Sequence, residues 1–406
     1  MKKQALIAFN EVIQEDERYV KIALELDCFI NFLVKFLDFK DCEIQEEAAK
    51  AVCLIAGFEC CKSLLMTAGV IAPLIRVLES GSESRKEFAA RCLMKVTENS
   101  ENVWSVSAHG GVTFLLKICC NNGDYDSELV SLACGVLKNL VGVEEIKRFV
   151  VEEGAISVLV NLARSKDEVI KISSLDLLQT MAYGDESTRA MIIQEGGMRV
   201  LVRILDPKSS FSTKTREMAF RGIVNICCLS ENTLNLLINY GFMDHLIYFL
   251  RYGDIPVQEF ALKGTFWLSG TSEEAKKVMG EAGFMAVLIK FLDSKSFEVR
   301  EMATETLYSM ILVHRNRRRF VQNDKNVGML LQMLDPGEVN SCNKKLLLSI
   351  LMSLTRSNSA RKKITNSGYL KNIEKLAEAE VSDAKKIVRK LSCNRFRSIL
   401  SALWNS

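Results

Sequence analysis

The chain has 406 residues, 48% of them hydrophobic and 25% charged, and its 53 Lys and Arg against 50 Asp and Glu leave a net charge of +3. That balance excludes a nucleic-acid-binding domain that is basic over its whole surface, so any basic site is local. Thirteen cysteines, an odd number with no Cys-x-x-Cys spacing, argue against a disulfide or metal framework and for small buried thiols in a reducing compartment, cytoplasmic, nuclear or both.

Met1-Lys2-Lys3 leads into an amphipathic, acid-containing segment rather than the apolar core of a secretory signal. No apolar run is long enough to span a bilayer. Residues Lys3 to Ile13 and Glu15 to Leu26 read as two helices, the last two of a unit whose first is missing. Residues 1–27 are therefore expected to be a partial repeat, either the cap of a stack or the continuation of a longer chain.

From Cys28 onward one pattern recurs. Its clearest copy is Gly69-Val-Ile-Ala-Pro-Leu-Ile-Arg-Val-Leu78, and the starts are Cys28, Gly69, Gly110, Gly154, Gly196, Gly241, Gly283, Lys325 and Gly368, spaced 41 to 45 residues apart. Five and nine residues after each start stand Leu33 and Leu37, Leu74 and Leu78, Leu115 and Cys119, Leu159 and Ala163, Leu201 and Leu205, Leu246 and Leu250, Leu288 and Leu292, Leu330 and Leu334, and Ile373 and Ala377. All are apolar, and a spacing of four places each pair on one helical face. This period is that of stacked helical repeats.

Within a unit, the start is followed by a helix, a short loop, a longer helix such as Ser84 to Thr97, and a short helix such as Asn102 to Ala108. Glycine at the start suits a left-handed residue that ends one helix before the next begins. Cys28 and Lys325 stand where glycine is expected and predict looser junctions. Asn121 to Asp124 and Asp206 to Ser212 are the longest loops, and the Ser/Thr cluster from Ser209 to Thr215 is a candidate phosphate acceptor. Pro256 fits the first turn of a helix capped near Asp254. Only four prolines interrupt the chain, so residues 28–383 read as one continuous run of repeats.

Residues 384–406 contain no acid, and Lys385, Lys386, Arg389, Lys390, Arg395 and Arg397 oppose Ile387, Leu391, Phe396, Leu400 and Trp404. Such a basic amphipathic helix is either the cap of the last unit or a binder of anionic membrane or calmodulin.

Three-helix units with a Gly-x-x-x-x-Leu start and an Ala-rich long helix, as in Gln45 to Val52, resemble armadillo repeats. The ending from Lys385 to Trp404 is similar to that of plant armadillo proteins related to the repeat region of U-box ubiquitin ligases. The resemblance implies an all-α, right-handed α-solenoid (superhelix) of about nine armadillo-type three-helix repeats, with two-helix HEAT repeats as the runner-up. It also implies a non-enzymatic scaffold that binds protein segments in a groove lined by the long third helices. There is no room for a U-box ahead of the repeats, so a role in the ubiquitin pathway would be that of a substrate-holding adaptor.

In importin-alpha the long helix carries a Trp and, four residues later, an Asn. The equivalent positions here hold Lys50, Arg91, Gly135, Asp176, Arg221, Lys263, Glu305, Ser349 and Lys386, and then Leu54, Lys95, Asn139, Thr180, Asn225, Trp267, Ser309, Ser353 and Lys390. Only Asn139 and Asn225 match, which argues against basic nuclear-localisation peptides as ligands. The expected groove residues are Lys50, Arg91, Lys95, Asn139, Arg221, Asn225, Lys263 and Trp267, receiving protein or peptide segments of acidic character. Asn139 and Asn225 would contact the ligand backbone.

A plainer account competes with that one. Glu46/Lys50, Glu87/Arg91, Glu217/Arg221 and Glu259/Lys263 are four-apart pairs that stabilise a solvated helix face by about 0.2 to 0.5 kcal/mol each. Trp267 is equally read as core or as an exposed anchor.

The run from His314 through Arg315, Arg317, Arg318 and Arg319 is a candidate site for a phosphate or an acidic tail, or a set of solvated turn residues. His109, His245 and His314 fall in different units, without a partner at ligand or triad spacing. No phosphate-binding glycine loop or nucleophile elbow occurs. No catalytic residue, metal, cofactor, small-molecule substrate or specific nucleic acid is expected.

Overall fold

The computed structural model describes residues 1–406 apart from Glu17, Asp27, 227–230, 335–343 and 393–406, and apart from the side chains of Glu231 and Asp324. Among the described residues all regular structure is helical. The chain divides into two units, residues 1–204 with 214–228 and residues 205–213 with 229–406.

The first unit contains the long helices α1 (Lys2–Glu15), α2 (Cys42–Ile55), α3 (Glu83–Val96), α4 (Ser127–Leu140), α5 (Glu168–Ala182) and α6 (Thr213–Ile226). The second contains α7 (Ile255–Thr271), α8 (Phe297–Ile311) and α9 (Lys344–Leu354), followed by α10 (382–392). Each of α2 to α10 is preceded by two shorter helices, as Glu59–Thr67 and Ile71–Ser80 precede α3. Those two meet at 86°, and the corresponding pair before α4 at 80°. Three helices per unit, the first turned across the second, decide against the two-helix alternative. The fold is an all-α solenoid.

Polar caps begin the long helices. The side chains of Asp41, Asp126, Asp167, Asp254 and Ser296 accept from backbone N–H groups in the first turns of α2, α4, α5, α7 and α8, satisfying donors with no partner inside the helix. Pro256 occupies the first turn of α7, as its missing N–H favours.

Within the first unit α1 packs on α2, α2 on α3, α3 on α4 and α4 on α5. Gln179 of α5 ties α6 through a bond from Nε2 to the Met218 carbonyl, 2.9 Å. In the second unit α7 packs on α8 and α8 on α9, and Lys390 of α10 reaches Met352 of α9, 3.2 Å from Nζ to Sδ. Each repeat thus buries its apolar face against its neighbours in line.

Of the paired apolar positions read from the sequence, all but the half-buried Ala377 are buried. A leucine so enclosed contributes about 2 kcal/mol, but only once the next repeat covers it.

Gly69, Gly110, Gly154, Gly196, Gly241 and Gly283 all take the left-handed conformation, with φ from +73° to +90°. Cys28 does the same at φ +62°. The expected loosening at Cys28 is therefore corrected: the turn is kept, with a Cβ in a region that costs such residues energy. Lys325 lies inside the helix Asp324–Gln332 instead, so that junction is built differently.

A second recurring bond was not anticipated from the sequence. Near the start of α2, α5 and α7 a side chain reaches back to the end of the preceding helix. Gln45 Nε2 donates to Leu37 O at 2.6 Å, Lys171 Nζ to Ala163 O at 2.8 Å, and Gln258 Nε2 to Leu250 O at 3.4 Å. In α8, Arg300 Nη1 does the same to Ser294 O and Lys295 O, at 2.6 and 2.9 Å. Carbonyls at a helix C-terminus carry partial negative charge and lack intrahelical partners, so donors and cations are favoured there. Lys171 is only 2% exposed, and burial pulls its pKa down to about 8.

Candidate functional site

The faces of the long helices opposite the apolar core carry the residues singled out from the sequence, and the two units use these faces differently. In the first unit the face is occupied by bonds between successive repeats. Glu46 of α2 accepts from Ser84 Oγ of α3 at 2.9 Å. Arg91 of α3 lies 3.1 Å from Glu128 of α4 and 3.9 Å from its own Glu87. Ser131 and Ser173 join α4 to α5 at 2.7 Å, and Lys138 and Asp176 do so at 2.6 Å.

Two expected ligand-binding residues take part in this lattice. Lys95 Nζ donates to Cys53 O of α2 at 2.8 Å. Asn139 Nδ2 donates to Met94 O and to Thr97 Oγ1, both at 3.0 Å. Both amide hydrogens of Asn139 are therefore spent on the preceding repeat, and none is left to donate to a ligand backbone. Ser309 of α8, at the equivalent position, donates in the same way to Ser269 O of α7, 3.1 Å away. At Lys95, Asn139 and Ser309 this position is a site of cohesion between repeats.

Of the four-apart pairs, Glu217/Arg221 forms at 2.7 Å and Glu87/Arg91 at 3.9 Å. Burial raises the Glu87 carboxyl above its ordinary range in spite of Arg91. Lys50 is half-buried and Asn225 exposed, each on its own long helix.

The face of the second unit has another character. On α7, Lys263 and Phe266 are exposed, Phe266 by 40%, and Trp267 is half-buried beside them. On the adjoining α8, Tyr308 is half-buried and Leu312, just past the helix end, is 50% exposed. Glu259, Glu301 and Glu305 stand on the same two helices. Lys263 and these glutamates form no ion pair among the described residues. Trp267 is an edge residue, neither core nor fully exposed, and Phe266, exposed beside it, is not among the groove residues expected from the sequence.

The basic run lies in the first helix of a repeat, His314–Gln322, and not on a long-helix face. Arg317 Nη1 donates to Leu312 O at 2.7 Å, and Arg319 meets Glu281 at 2.8 Å, while Arg315 and Arg318 are exposed. On α10, Lys385 pairs with Glu380 and Lys386 with Asp383, the latter at 3.0 Å, while Arg389 is exposed. Ala384, Ile387 and Leu391 are buried, so the apolar face of α10 is already covered. Arg395, Phe396, Arg397, Leu400 and Trp404 lie outside the described residues. Thr215, from the candidate phosphate-acceptor cluster, is buried with Oγ1 on Glu168 at 2.8 Å.

The nine described cysteines are free. Burial, with Cys60 alongside, pushes the Cys61 thiol up to about 12. Among the described residues no group of His, Cys, Asp and Glu could hold a metal ion, and no single helix is long and apolar enough to cross a membrane.

A stretch of 176 residues, 43% of the chain, is 23% identical to catenin beta of Urechis caupo and matches 21% of that protein's length. The chain thus spans about a fifth of the relative it matches. The crystal structure of an engineered protein is similar over 97% of this chain and 94% of that one, with a TM-score of 0.71 and 25% identity. No protein-family model matches. The repeats are armadillo-like.

Proposed function

We propose that the chain is a non-enzymatic protein-binding scaffold that receives partner segments on the long-helix faces, chiefly in its second unit. The observation that carries this reading is the exposed Phe266 beside Lys263 and Trp267. An aromatic side chain left in water next to an uncompensated cation is a typical anchor for a partner. Asn225, Lys50 and Arg221 are secondary candidates, since none of them is bonded to a neighbouring repeat. Free thiols suit the cytoplasm or the nucleus. A ubiquitin-pathway adaptor would be one case of such a scaffold, distinguished by co-purification of a ligase or conjugating enzyme.

The test is a photo-crosslinking side chain placed at Phe266 in one variant and at Lys117, on a second helix of the first unit, in another. Protein adducts from cell extract at position 266 and not at 117 are expected. Equal adducts at both, or none at 266, would remove the assignment.

A further inference from the structure

The small net charge conceals a steep division along the chain. Residues 311–406 hold 19 Lys and Arg against 7 Asp and Glu, so the preceding residues are net acidic. In the described structure the excess gathers on two neighbouring first helices of the second unit, His314–Gln322 and Asn358–Asn366. Together with Arg356 they carry eight basic side chains, and neither 312–323 nor 355–367 contains an acid.

The helices are joined by Lys363, whose Nζ donates to Val321 O at 2.5 Å and to Gln322 O at 3.4 Å. Arg317 donates to carbonyls at the end of α8, and Arg361 Nη2 donates to Asn358 Oδ1 at 2.6 Å. The acceptors of Arg317 and Arg361 are uncharged and leave those two cations uncompensated. Arg319 meets a carboxylate, that of Glu281. Even so, its buried Nη1 has no acceptor, and neither has the buried Nε of Arg361. Burial, and then the nearby Arg356, hold the Arg317 pKa below its usual value, so like charges crowd this surface. Anionic oxygens would relieve the crowding.

Its dimensions choose among anionic partners. Two helices of nine residues are about 13 Å long, and the Lys363 side chain bridges them. On one side the strip is bordered by the helix Glu273–Ala282, whose Glu273, Glu274 and Glu281 outnumber Lys276 and Lys277. A duplex or a bilayer would press its phosphates onto those carboxylates, whereas an extended segment of about four to six residues fits within the strip. We propose that these two first helices form a binding site for an extended acidic peptide, separate from the long-helix faces. Exposed Arg315, Arg318, Arg356 and Lys362 meet its anionic groups, with arginine forks suited to carboxylate and phosphate alike.

The experiment titrates the full chain with a fluorescent ten-residue Glu/Asp peptide, the same peptide carrying two phosphoserines, a single-stranded oligonucleotide of equal charge, and phosphatidylserine vesicles. Saturable binding of the acidic peptide is expected, weakened at least 30-fold by R315E/R318E/R356E/K362E and unchanged by Lys263→Ser with Phe266→Ser. At least fivefold tighter binding of the phosphorylated form identifies phosphate as the preferred anion, and equal affinities identify carboxylate. Should the charge-reversed variant lose its helical melting transition, Arg318→Gln with Lys362→Gln takes its place, with a loss of at least fivefold expected. Unchanged peptide affinity in the folded variants, or tighter binding of oligonucleotide or vesicles than of peptide, would overturn the proposal.

Discussion

The long-helix face of the first unit and that of the second are made from equivalent positions of the same repeat, yet one is locked and the other is open. In the first, Arg91, Lys95, Lys138 and Asn139 each find a partner on an adjacent helix. In the second, Ser309 bonds the preceding long helix while Lys263 and Phe266 face solvent, and further cohesion is found among the first helices. There Asn316 Nδ2 donates to Lys276 O at 2.7 Å and to Met310 O at 3.1 Å. A position therefore has no fixed duty in such a fold. It holds repeats together where the neighbour offers a complementary group, and is left for partners where it does not.

The sharpest test of that contrast is Gly280→Ala in the second unit. A Cβ there would overlap the Asn316 amide, so the variant must repack or give up buried hydrogen bonds. A loss of about 2 to 4 kcal/mol is expected, read by hydrogen exchange as opening of the second unit, with the first unit's long helices still protected.

In the first unit pH is the corresponding lever. Lys171 holds its proton less tightly when folded, with a pKa of about 8, than a lysine in water does. Above pH 8 the folded state releases a proton that the unfolded state keeps, so stability rises with pH across that window. The gain reaches about 3 kcal/mol when both states are neutral. The difference in melting temperature between the native chain and Lys171→Met should therefore shift in favour of the native chain from pH 7.5 to 10. A flat difference would refute the buried-ammonium account.

Smaller effects separate the faces themselves. Asn139→Ala removes two bonds to the preceding repeat and should cost about 1 to 2 kcal/mol, whereas Ser309→Ala, which removes one, should cost about half of that. Smallest of all, Lys263→Ser and Phe266→Ser should change stability by less than about 0.5 kcal/mol while reducing partner capture. A large stability loss from either would mean that the second face is also locked.

The repeat was legible because its signal is local and redundant. A leucine four residues from another needs only one helix to define a face, and each junction glycine announces a left-handed turn without reference to the rest of the chain. Asp254 and Pro256 were similarly readable, since capping involves groups a few residues apart. Asn139 was read as a ligand contact because its amide could serve either a peptide or a carbonyl of Met94, 45 residues away. Composition does not distinguish these partners.

Period, helical class and buried register were thus fixed by the order of residues, because hydrophobic burial at helical spacing repeats in every unit and tolerates single departures such as Cys28. Which cations are neutralised, which aromatic stays in water, and which two first helices bring their arginines together were decided only when the repeats stacked. Those outcomes depend on distances of a few ångströms between side chains some forty residues apart in the chain, and a polar group's availability is set by the neighbour it meets.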